Sequence, residues 1–404
     1  MTATQISVIV VSRHRPAALQ RCLLGLTQQD HTDFEVIVVA DPQAAAEVAA
    51  LAKPIKLVAF DQANISAARN AGLAQAAGAV VAFIDDDAVA EPTWLSRLVA
   101  PFSDARVIAS TGYVRGRNGI SYQWKACEIG ADAQDHALQI DALTLRAGTP
   151  QLAVKTQGTN CAFRADTLRA IGGFDPSFRF YLDEADVNLR MATLGLTAIV
   201  PEAQVHHGFE ASARRAANRV PLSLFDIAAS TALFLRRHQS APDLAMGLRQ
   251  LSHREAQRLS QHRRTGRLNA RAETDLLLSM AKGWAAGCTE PLSPLAPLVQ
   301  PKTGFLNFPS FGPSKGSVLC GRFWQKSALM NAAKHSAQSR VTTVICLSPT
   351  ARPHQMRFQP EGFWLQTGGL FGRSTRDGPR LVFSSFQNRI LQETARFAAF
   401  RPIN

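Results

Sequence analysis

The sequence lacks the features that would place it outside the cell or across a membrane. Its six cysteines are scattered, with no C-x-x-C pair and no histidine at zinc-ligand spacing, so neither a disulfide framework nor a zinc site is expected. The N-terminus leads straight into an apolar strand and has no export signal. The best membrane candidate, 220–235, has about 16 residues, fewer than the ~20 of a spanning helix, and contains Pro221 and Asp226. We therefore expect reduced, buried cysteines, a cytoplasmic location, and a buried or interfacial position for 220–235.

Acidic residues are scarce relative to basic ones, which gives a net charge of +13. Much of the excess lies in a basic cluster that comprises Arg214, Arg215, Arg219, Arg236, Arg237, Arg254, Arg258, Arg263, Arg264, Arg267 and Arg271. Such a field attracts polyanions, and nucleic acid, anionic lipid head groups and acidic glycans all qualify. A solvated helical face is an equally good interpretation. Because interleaved aromatic residues and zinc or RNA-binding motifs are missing, we expect no nucleic-acid partner.

Short apolar runs alternate with helix-length stretches in the first part of the chain. The runs at 6–11, 34–39, 55–60 and 80–84 are typical of strands buried on both faces. Helices are predicted at 16–28, 44–52 and 66–77, the last with Ser66 as its N-cap. This order predicts a Rossmann-like, doubly wound sheet. Ligands bind beyond the carboxyl ends of such strands, where the loops 12–15, 40–43 and 85–88 fall.

The remaining sequence divides into three further parts. The first domain is predicted to extend over 1–215, with helices at 93–102, 165–170 and 184–194 and strands at 107–114 and 196–200. An Arg-rich helical extension follows at 216–290. Several prolines and glycines mark 291–313 as a linker. Residues 314–404 form a small C-terminal α/β unit with a strand candidate at 341–347, and its role is open.

An acidic triplet, Asp85–Asp87, directly follows the fourth predicted strand. Its carboxylates therefore project at the ligand-binding edge of the sheet. A few hard oxygen ligands suit Mg²⁺ or Mn²⁺, which completes its shell with substrate phosphate and water. An ordinary acidic turn or helix start is the alternative interpretation.

Several motifs in the first 210 residues resemble, in order, those of the family 2 glycosyltransferases of GT-A fold. They are the opening strand and loop 7–15, the second strand and its acidic end 36–41, the S-x-A-R-N-x-G helix 66–72, the D-x-D region 83–87, the G-G-F-D turn 172–175, the acidic segment 183–190 and the segment 201–207 that ends in histidine. The resemblance ends near Glu210. It implies a GT-A fold, a nucleoside diphosphate sugar as donor, Mn²⁺ or Mg²⁺ as cofactor and inversion of the anomeric centre.

The resemblance also assigns roles position by position. The nucleotide-sugar site would include Val11, Ser12, Asp41, Arg69, Asn70, Asp85 and Asp86, with Asp41 contacting the base. The metal would be held by Asp87 together with Asp85 and His207, which aligns better than His206. Ala40 stands where the family commonly has another aspartate, and Ser12–His14 replaces its Thr-Tyr-Asn. The base or sugar preference is therefore expected to be unusual.

The catalytic base is expected among Asp183, Glu184 and Asp186. An inverting displacement needs a carboxylate opposite the leaving group to take the proton of the acceptor. The family usually has Glu then Asp where this chain has Asp183 then Glu184, so the aligned base is Glu184, one methylene longer than usual. The alternative is that these acids only stabilise a helix N-terminus, an effect of roughly 0.3 to 1 kcal/mol.

The resemblance implies sugar transfer to a glycan or lipid-linked glycan acceptor in polysaccharide or glycolipid biosynthesis. The arginine-rich helices and 220–235 would then dock the enzyme on an anionic inner membrane face. A non-catalytic glycosyltransferase-like protein that binds a polyanion or a membrane surface is the alternative, because fold does not guarantee function. A nucleotidyltransferase is a weaker interpretation, since no Gly-rich phosphate loop adjoins the first strand.

Overall fold

The first strands and helices fold as their hydrophobic pattern predicts. A computed structural model describes residues 4–208, 216, 218–314 and 316–401. The first elements are β1 (Ile6–Ser12), α1 (Pro16–Leu26), β2 (Phe34–Ala40), α2 (Pro42–Ala49), β3 (Ile55–Ala59), α3 (Ile65–Leu73) and β4 (Val80–Asp85). Proline begins both α1 and α2, where its missing N–H costs no hydrogen bond. The predicted cap of α3 is wrong, because Asn64 accepts from the Ala67 N–H at 3.0 Å while the Ser66 hydroxyl donates to the Phe178 carbonyl.

The second part of the domain is built from short strands. It contains β5 (Ala88–Ala90), α4 (Trp94–Val99), β6 (Val107–Arg115), β7 (Tyr122–Trp124), β8 (Cys127–Gly130), β9 (Asp135–Ala137), β10 (Thr144–Ala147), β11 (Leu152–Val154), β12 (Cys161–Arg164), α5 (Ala165–Ala170), α6 (Asp183–Met191) and β13 (Leu196–His207). The last strand is longer than the predicted 196–200. Its pairing with β6 shifts register between Val200 and Gln204, since Pro201 lacks the N–H that a regular ladder needs.

A mixed sheet forms the centre of the domain. Its strand order is β10-β13-β6-β12-β4-β1-β2-β3, with β5 paired to β13 and β7 to β6. The β3-β2-β1-β4 half is parallel, as predicted, whereas β12 enters antiparallel between β4 and β6. One hydrophobic cluster packs α1, α2 and α4 on one face of the sheet, and another packs α3, α5 and α6 on the other. The predicted GT-A arrangement of a sheet flanked by helices is confirmed.

Three helices form the extension after this domain, namely α7 (Phe225–His238), α8 (Leu244–Arg264) and α9 (Ala270–Thr289). Gly283 and Gly287 of α9 let α7 pack so closely that an added Cβ would collide with the carbonyls of Phe225 and Ala229. The apolar face of α7 and most of 220–235 are therefore buried, although Leu222 and Phe225 are 57% and 39% exposed. Within the described ranges no helix is both long and apolar enough to cross a bilayer. Arg214 and Arg215 lie outside the described residues.

The segment 291–313, predicted as a linker, lies along the first domain. Its backbone N–H groups donate to carbonyls of that domain, from Leu298 to Arg169 at 2.9 Å and from Phe308 to Phe34 at 2.8 Å. Phe308 is fully buried against Phe34, with ring centroids 5.6 Å apart. These contacts make 291–313 an ordered segment that packs on α5 and on the start of β2.

The C-terminal unit is a small α/β sandwich that packs on the first domain. Its elements are β14 (Ser317–Arg322), α10 (Lys326–Ser336), β15 (Thr342–Ser348), β16 (Gln355–Phe358), β17 (Trp364–Gly369) and α11 (Phe386–Ala398), in the sheet order β14-β15-β17-β16. The indole N–H of Trp364 donates to Gln28 Oε1 at 3.2 Å, across the contact between the two units. All six cysteines are free thiols, but the expectation that they are buried holds only for Cys22, Cys161 and Cys346. Cys127 and Cys288 are partly exposed, and Cys320 is exposed.

Candidate active site

One cavity of about 1090 Å³ opens at the carboxyl ends of β1 and β4. Parallel strands present their ends at one edge of a sheet, so residues far apart in sequence meet there. The predicted residues that line this cavity are Val11, Ser12, Arg69, Asp85, Asp87, Asp183, Glu184 and His207. The predicted residues Asp41, Asn70, Asp86 and Asp186 do not line it.

Asp85, Asp87 and His207 form a candidate metal centre. One ligand atom from each lies within 4.8 Å of the others. The strand pair β5·β13 creates this proximity by placing His207 opposite Ala88, and the Gly208 N–H donates to the Asp87 carbonyl at 2.6 Å. The imidazole Nε2 of His207 is 3.3 Å from Asp87 Oδ1. Two carboxylates and one imidazole are a donor set that fits Mn²⁺ or Mg²⁺ with substrate oxygens.

Gln123 on β7 lies behind this centre. Its Oε1 is 3.2 Å from His207 Nδ1, so an Nδ1–H donor directs the lone pair of Nε2 towards Asp87. The indole ring of Trp124 lies 5.6 Å from the imidazole of His207. Together these two side chains fix the orientation of the histidine before any metal binds.

Asp86 points away from the cavity. Its carboxylate accepts from Ser12 Oγ at 2.7 Å and pairs with the Arg15 guanidinium at 2.6 Å. The side chain is fully buried, and burial raises its pKa to about 7. β4 ends at Asp85, and Asp86 and Asp87 form the turn before β5. In this turn the middle residue of the triplet holds the loop after β1, while its two neighbours line the cavity.

Asp41 is the N-cap of α2 rather than an open cavity carboxylate. Its oxygens accept from the backbone N–H groups of His14 at 2.7 Å and of Ala44 at 3.2 Å. Burial acts to raise its pKa, but these two N–H donors lower it overall. The His14 contact holds that residue at a φ of 57°. The structure therefore places Asp41 beneath the loop 12–15, and a base contact would require this loop to move.

Asn70 joins two of the family motifs. Its amide donates to the Phe174 carbonyl at 2.6 Å, and its Oδ1 accepts from the Phe174 N–H at 2.9 Å. The S-x-A-R-N-x-G helix and the G-G-F-D turn thus dock on each other through one side chain. This pair of hydrogen bonds gives Asn70 a structural position behind the cavity wall.

Arg69 connects the two acidic groups of the cavity. Its guanidinium forms a close ion pair with Asp183 and lies 4.0 Å from Glu184 and 3.8 Å from Asp85. It also lies over the rings of Phe83 and Phe174, at 5.8 and 5.1 Å from their centroids. A buried arginine in this position compensates three carboxylates that would otherwise repel one another.

Asp183 and Glu184 face the cavity at the start of α6, whereas Asp186 does not. Burial acts to raise the pKa of Glu184, but Arg69 and the adjacent Asp183 lower it overall. Burial and the neighbouring Glu184 raise the pKa of Asp183, which Arg69 opposes. Asp186 is fully buried between Arg190, at 2.6 Å, and His238, at 3.0 Å. It anchors α6 to α7.

Sequence reasoning missed the cavity wall formed by β7 and its neighbours. Gln123, Trp124 and Lys155 all line the cavity. They belong to a region without clear periodicity, where strands of three or four residues are too short to be recognised from their pattern. The aromatic residues Tyr122 and Trp124, which are two positions apart, were the available sign of a strand.

Residues 7–171 match the family model described as Glycosyl transferase family 2. The N-terminal domain of this chain is therefore similar to that family over these residues. The uncharacterized glycosyltransferase alr2836 of Nostoc sp. is 29% identical over 189 residues, which cover 44% of this chain and 57% of that protein. Glycosyltransferase AglE of Haloferax volcanii is 30% identical over 118 residues, which cover 26% of this chain and 39% of that protein. The matches thus span less than two thirds of these relatives.

Among solved structures, this chain is similar to GalNAc-T7, which was crystallised with UDP, GalNAc and Mn²⁺. The sequence identity is 15% and the TM-score is 0.43, with 58% of this chain and 48% of that chain covered.

Proposed function

We propose that this chain transfers a sugar from a nucleoside diphosphate sugar to a hydroxyl group of an acceptor, with inversion at the anomeric carbon. The observation that supports this most is the single cavity in which Arg69 separates a candidate metal centre from the Asp183–Glu184 pair. An acid-rich metal site suits a diphosphate leaving group, and one ionised carboxylate on the far side suits a single displacement.

Asp85, Asp87 and His207 would hold Mn²⁺ or Mg²⁺. A cation bound there would neutralise the negative charge that develops on the departing diphosphate. Arg15, whose guanidinium is 3.4 Å from Asp87 Oδ2 and lines the same cavity, adds a second positive group on the donor side. Val11 and Ser12 would form the floor under the nucleotide.

Glu184 would act as the base, with Asp183 and Arg69 positioning it. Its ionised carboxylate would take the proton of the acceptor hydroxyl as the new bond forms. Tyr181 and Leu182 precede this pair with φ angles of 78° and 64°, which non-glycine residues adopt only where surrounding contacts hold them. This backbone conformation fixes the position at which α6 begins and presents Asp183 and Glu184 to the cavity.

The acceptor is proposed to be a glycan or a lipid-linked glycan, as in polysaccharide or glycolipid biosynthesis at the inner membrane face. The cavity volume slightly exceeds the roughly 300–1,000 Å³ typical of ligand pockets, which would leave room for both a donor and an acceptor. Trp124 is 38% exposed beside His207, and such an amphipathic ring suits the apolar face of a sugar.

Calorimetric titration with UDP, GDP and dTDP, each with and without Mn²⁺, tests the donor half of the proposal. We expect one nucleotide to bind, more tightly with Mn²⁺, and Asp87→Ala to remove both the metal effect and transfer while the fold is retained. Full transfer by Asp87→Ala would overturn the metal assignment. Binding of none of the three nucleotides would favour the non-catalytic alternative, a polyanion- or surface-binding protein.

The base is tested by two matched variants. Glu184→Gln should abolish transfer but leave donor affinity within about twofold, because it retains size and hydrogen bonding while it loses the proton acceptor. Asp183→Asn should retain more activity. If Asp183→Asn alone abolishes transfer, Asp183 is the base instead.

A further inference from the structure

Exposed aromatic side chains form a patch on the C-terminal unit. Phe323 is 52%, Trp324 64% and Phe383 87% exposed. The guanidinium of Arg322 lies 4.5 Å from the Phe386 ring centroid and 5.7 Å from that of Trp324, and Phe323 stacks edge-on with Trp324 at 5.2 Å. Phe383 is three residues before Phe386 and approaches Phe371 at 6.4 Å. We call Phe323, Trp324, Phe383 and Phe386, with Arg322 between them, the aromatic patch.

The charged residues near the aromatic patch in sequence are mainly basic. Exposed Lys326 follows Trp324 by two positions, and exposed Arg380 precedes Phe383 by three. The acidic residues of 316–401 are Glu361, Asp377 and Glu393. Glu361 is paired with Lys334 at 2.9 Å, and Glu393 is buried. Asp377 is therefore the acidic residue of 316–401 that could offset the positive charge near the exposed rings.

We propose that the aromatic patch docks this protein on an anionic lipid surface. Trp and Phe with flanking Arg and Lys are the composition that partitions into the boundary between head groups and acyl chains. Each basic group near such a surface adds an attraction that salt screens. The charge complementarity selects an anionic bilayer over a neutral one. The inference accompanies the proposed inner-face location but names the C-terminal unit, rather than the arginine-rich helices and 220–235, as the docking surface.

Vesicle flotation of the full chain tests the proposal without donor, acceptor or metal. We expect flotation with phosphatidylcholine vesicles that contain phosphatidylglycerol, little flotation with phosphatidylcholine alone, and release by high salt. The double variant Trp324→Ser/Phe383→Ser should reduce the bound fraction about tenfold or more. Arg322→Gln/Lys326→Gln should weaken binding to the anionic vesicles and flatten the salt dependence.

The matched control is Leu143→Ser/Leu194→Ser, which removes side chains that are 58% and 53% exposed on the first domain. This control should float like the unmodified protein. Equal flotation of the Trp324/Phe383 variant, or no flotation of the unmodified protein, would overturn the proposal. So would a concentration-dependent dimer that the same variant abolishes, because the patch would then be an interface between copies. Since none of these arms needs sugar transfer, their failure leaves the proposed reaction standing.

Discussion

Arg401 forms a buried two-point ion pair with Glu91, although the two residues are 310 positions apart. The Nε and terminal nitrogen of Arg401 lie 2.7 and 2.8 Å from the two carboxylate oxygens, and the guanidinium stacks 3.8 Å above the Trp364 ring centroid. Glu91 also contacts His206 Nε2 at 2.7 Å. Glu91 directly follows β5, and His206 precedes His207 on β13, so the C-terminal unit braces the strand pair that carries the candidate metal centre.

Loss of this ion pair should strongly destabilise the protein. Arg401→Met leaves Glu91 buried with only a histidine as partner, and breaking a buried pair from one side costs about 3–5 kcal/mol. Arg106→Met is the matched control, because Arg106 pairs with Asp104 but its side chain is 73% exposed. Loss of this exposed pair should change the free energy of unfolding little. Urea unfolding measures both variants. Equal free energies of unfolding for the two variants would contradict the bracing role of Arg401.

The turn at Gly173 should not tolerate a side chain. Gly173 has a φ of 69°, and an added Cβ would collide with Asn70 Oδ1. Gly266 has a similar φ of 66°, but an added Cβ meets nothing within 4 Å. Gly266→Ala should therefore cost only the backbone strain, about 1 kcal/mol, whereas Gly173→Ala should cost at least about 1–2 kcal/mol more. Thermal and urea unfolding of the two variants measure the difference, and equal losses would show that the collision is relieved without cost.

The parallel half of the sheet and the edge that carries the acidic triplet were predictable from sequence. Continuous apolar runs such as those of β1 and β2 are buried on both faces in the structure. The split of the triplet was not predictable. That Asp85 and Asp87 face the cavity while Asp86 faces Ser12 depends on where β4 ends relative to the sheet, and strand ends are the least certain feature of a sequence pattern.

The long-range partners in the site were beyond a local pattern. Asp41 and Asn70 match family motifs, yet their side chains are taken up by His14 and Phe174. Gln123 reaches His207 only because β7 and β13 both pair with β6. Arg401 similarly finds Glu91 through docking of a separate unit. Periodicity reports which face of an element is buried, but it does not report which elements pack together.

Acid should weaken the C-terminal unit through Glu393. Burial acts to raise the pKa of this carboxyl. The His354 imidazole, whose Nδ1 is 3.7 Å away, and hydrogen bonds from Ser374 and Gln366 lower it to about 2. A carboxyl with a depressed folded-state pKa contributes stability above its unfolded pKa of about 4.3 and loses it as the pH falls towards 2. Between these values, the free energy of unfolding should fall with decreasing pH more steeply than in Glu393→Gln, by up to about 1.4 kcal/mol per pH unit. Parallel urea-unfolding profiles for the two proteins would contradict this assignment.

The function of Arg69 should depend on the shape of its planar guanidinium group as well as on its charge. The guanidinium reaches Asp183, Glu184 and Asp85 at once, whereas an ammonium group is a single point on a flexible stem. Arg69→Lys should keep the fold but lower kcat for transfer about a hundredfold, because the base loses its fixed position. Arg69→Met should instead unfold more readily, by about 3–5 kcal/mol, since buried carboxylates lose their counter-charge. Steady-state kinetics and urea unfolding separate these effects, and a Lys variant with unchanged kcat would rule out positioning by Arg69.

Gln123 should control metal affinity through the orientation of His207. Gln123→Leu removes the acceptor of the Nδ1 hydrogen, so the imidazole is free to change tautomer or rotate, and Mn²⁺ affinity should fall about 10- to 100-fold. Gln123→Glu keeps an acceptor at the same reach and should retain the affinity of the unmodified protein or exceed it. Calorimetric titration of Mn²⁺ measures both, while the melting temperature reports only the modest cost of one hydrogen bond, about 1 kcal/mol. Unchanged Mn²⁺ affinity in Gln123→Leu would show that the Trp124 contact alone holds the ring or that His207 is not a ligand. His207→Ala distinguishes these two outcomes, because it weakens Mn²⁺ binding only if the imidazole coordinates the metal.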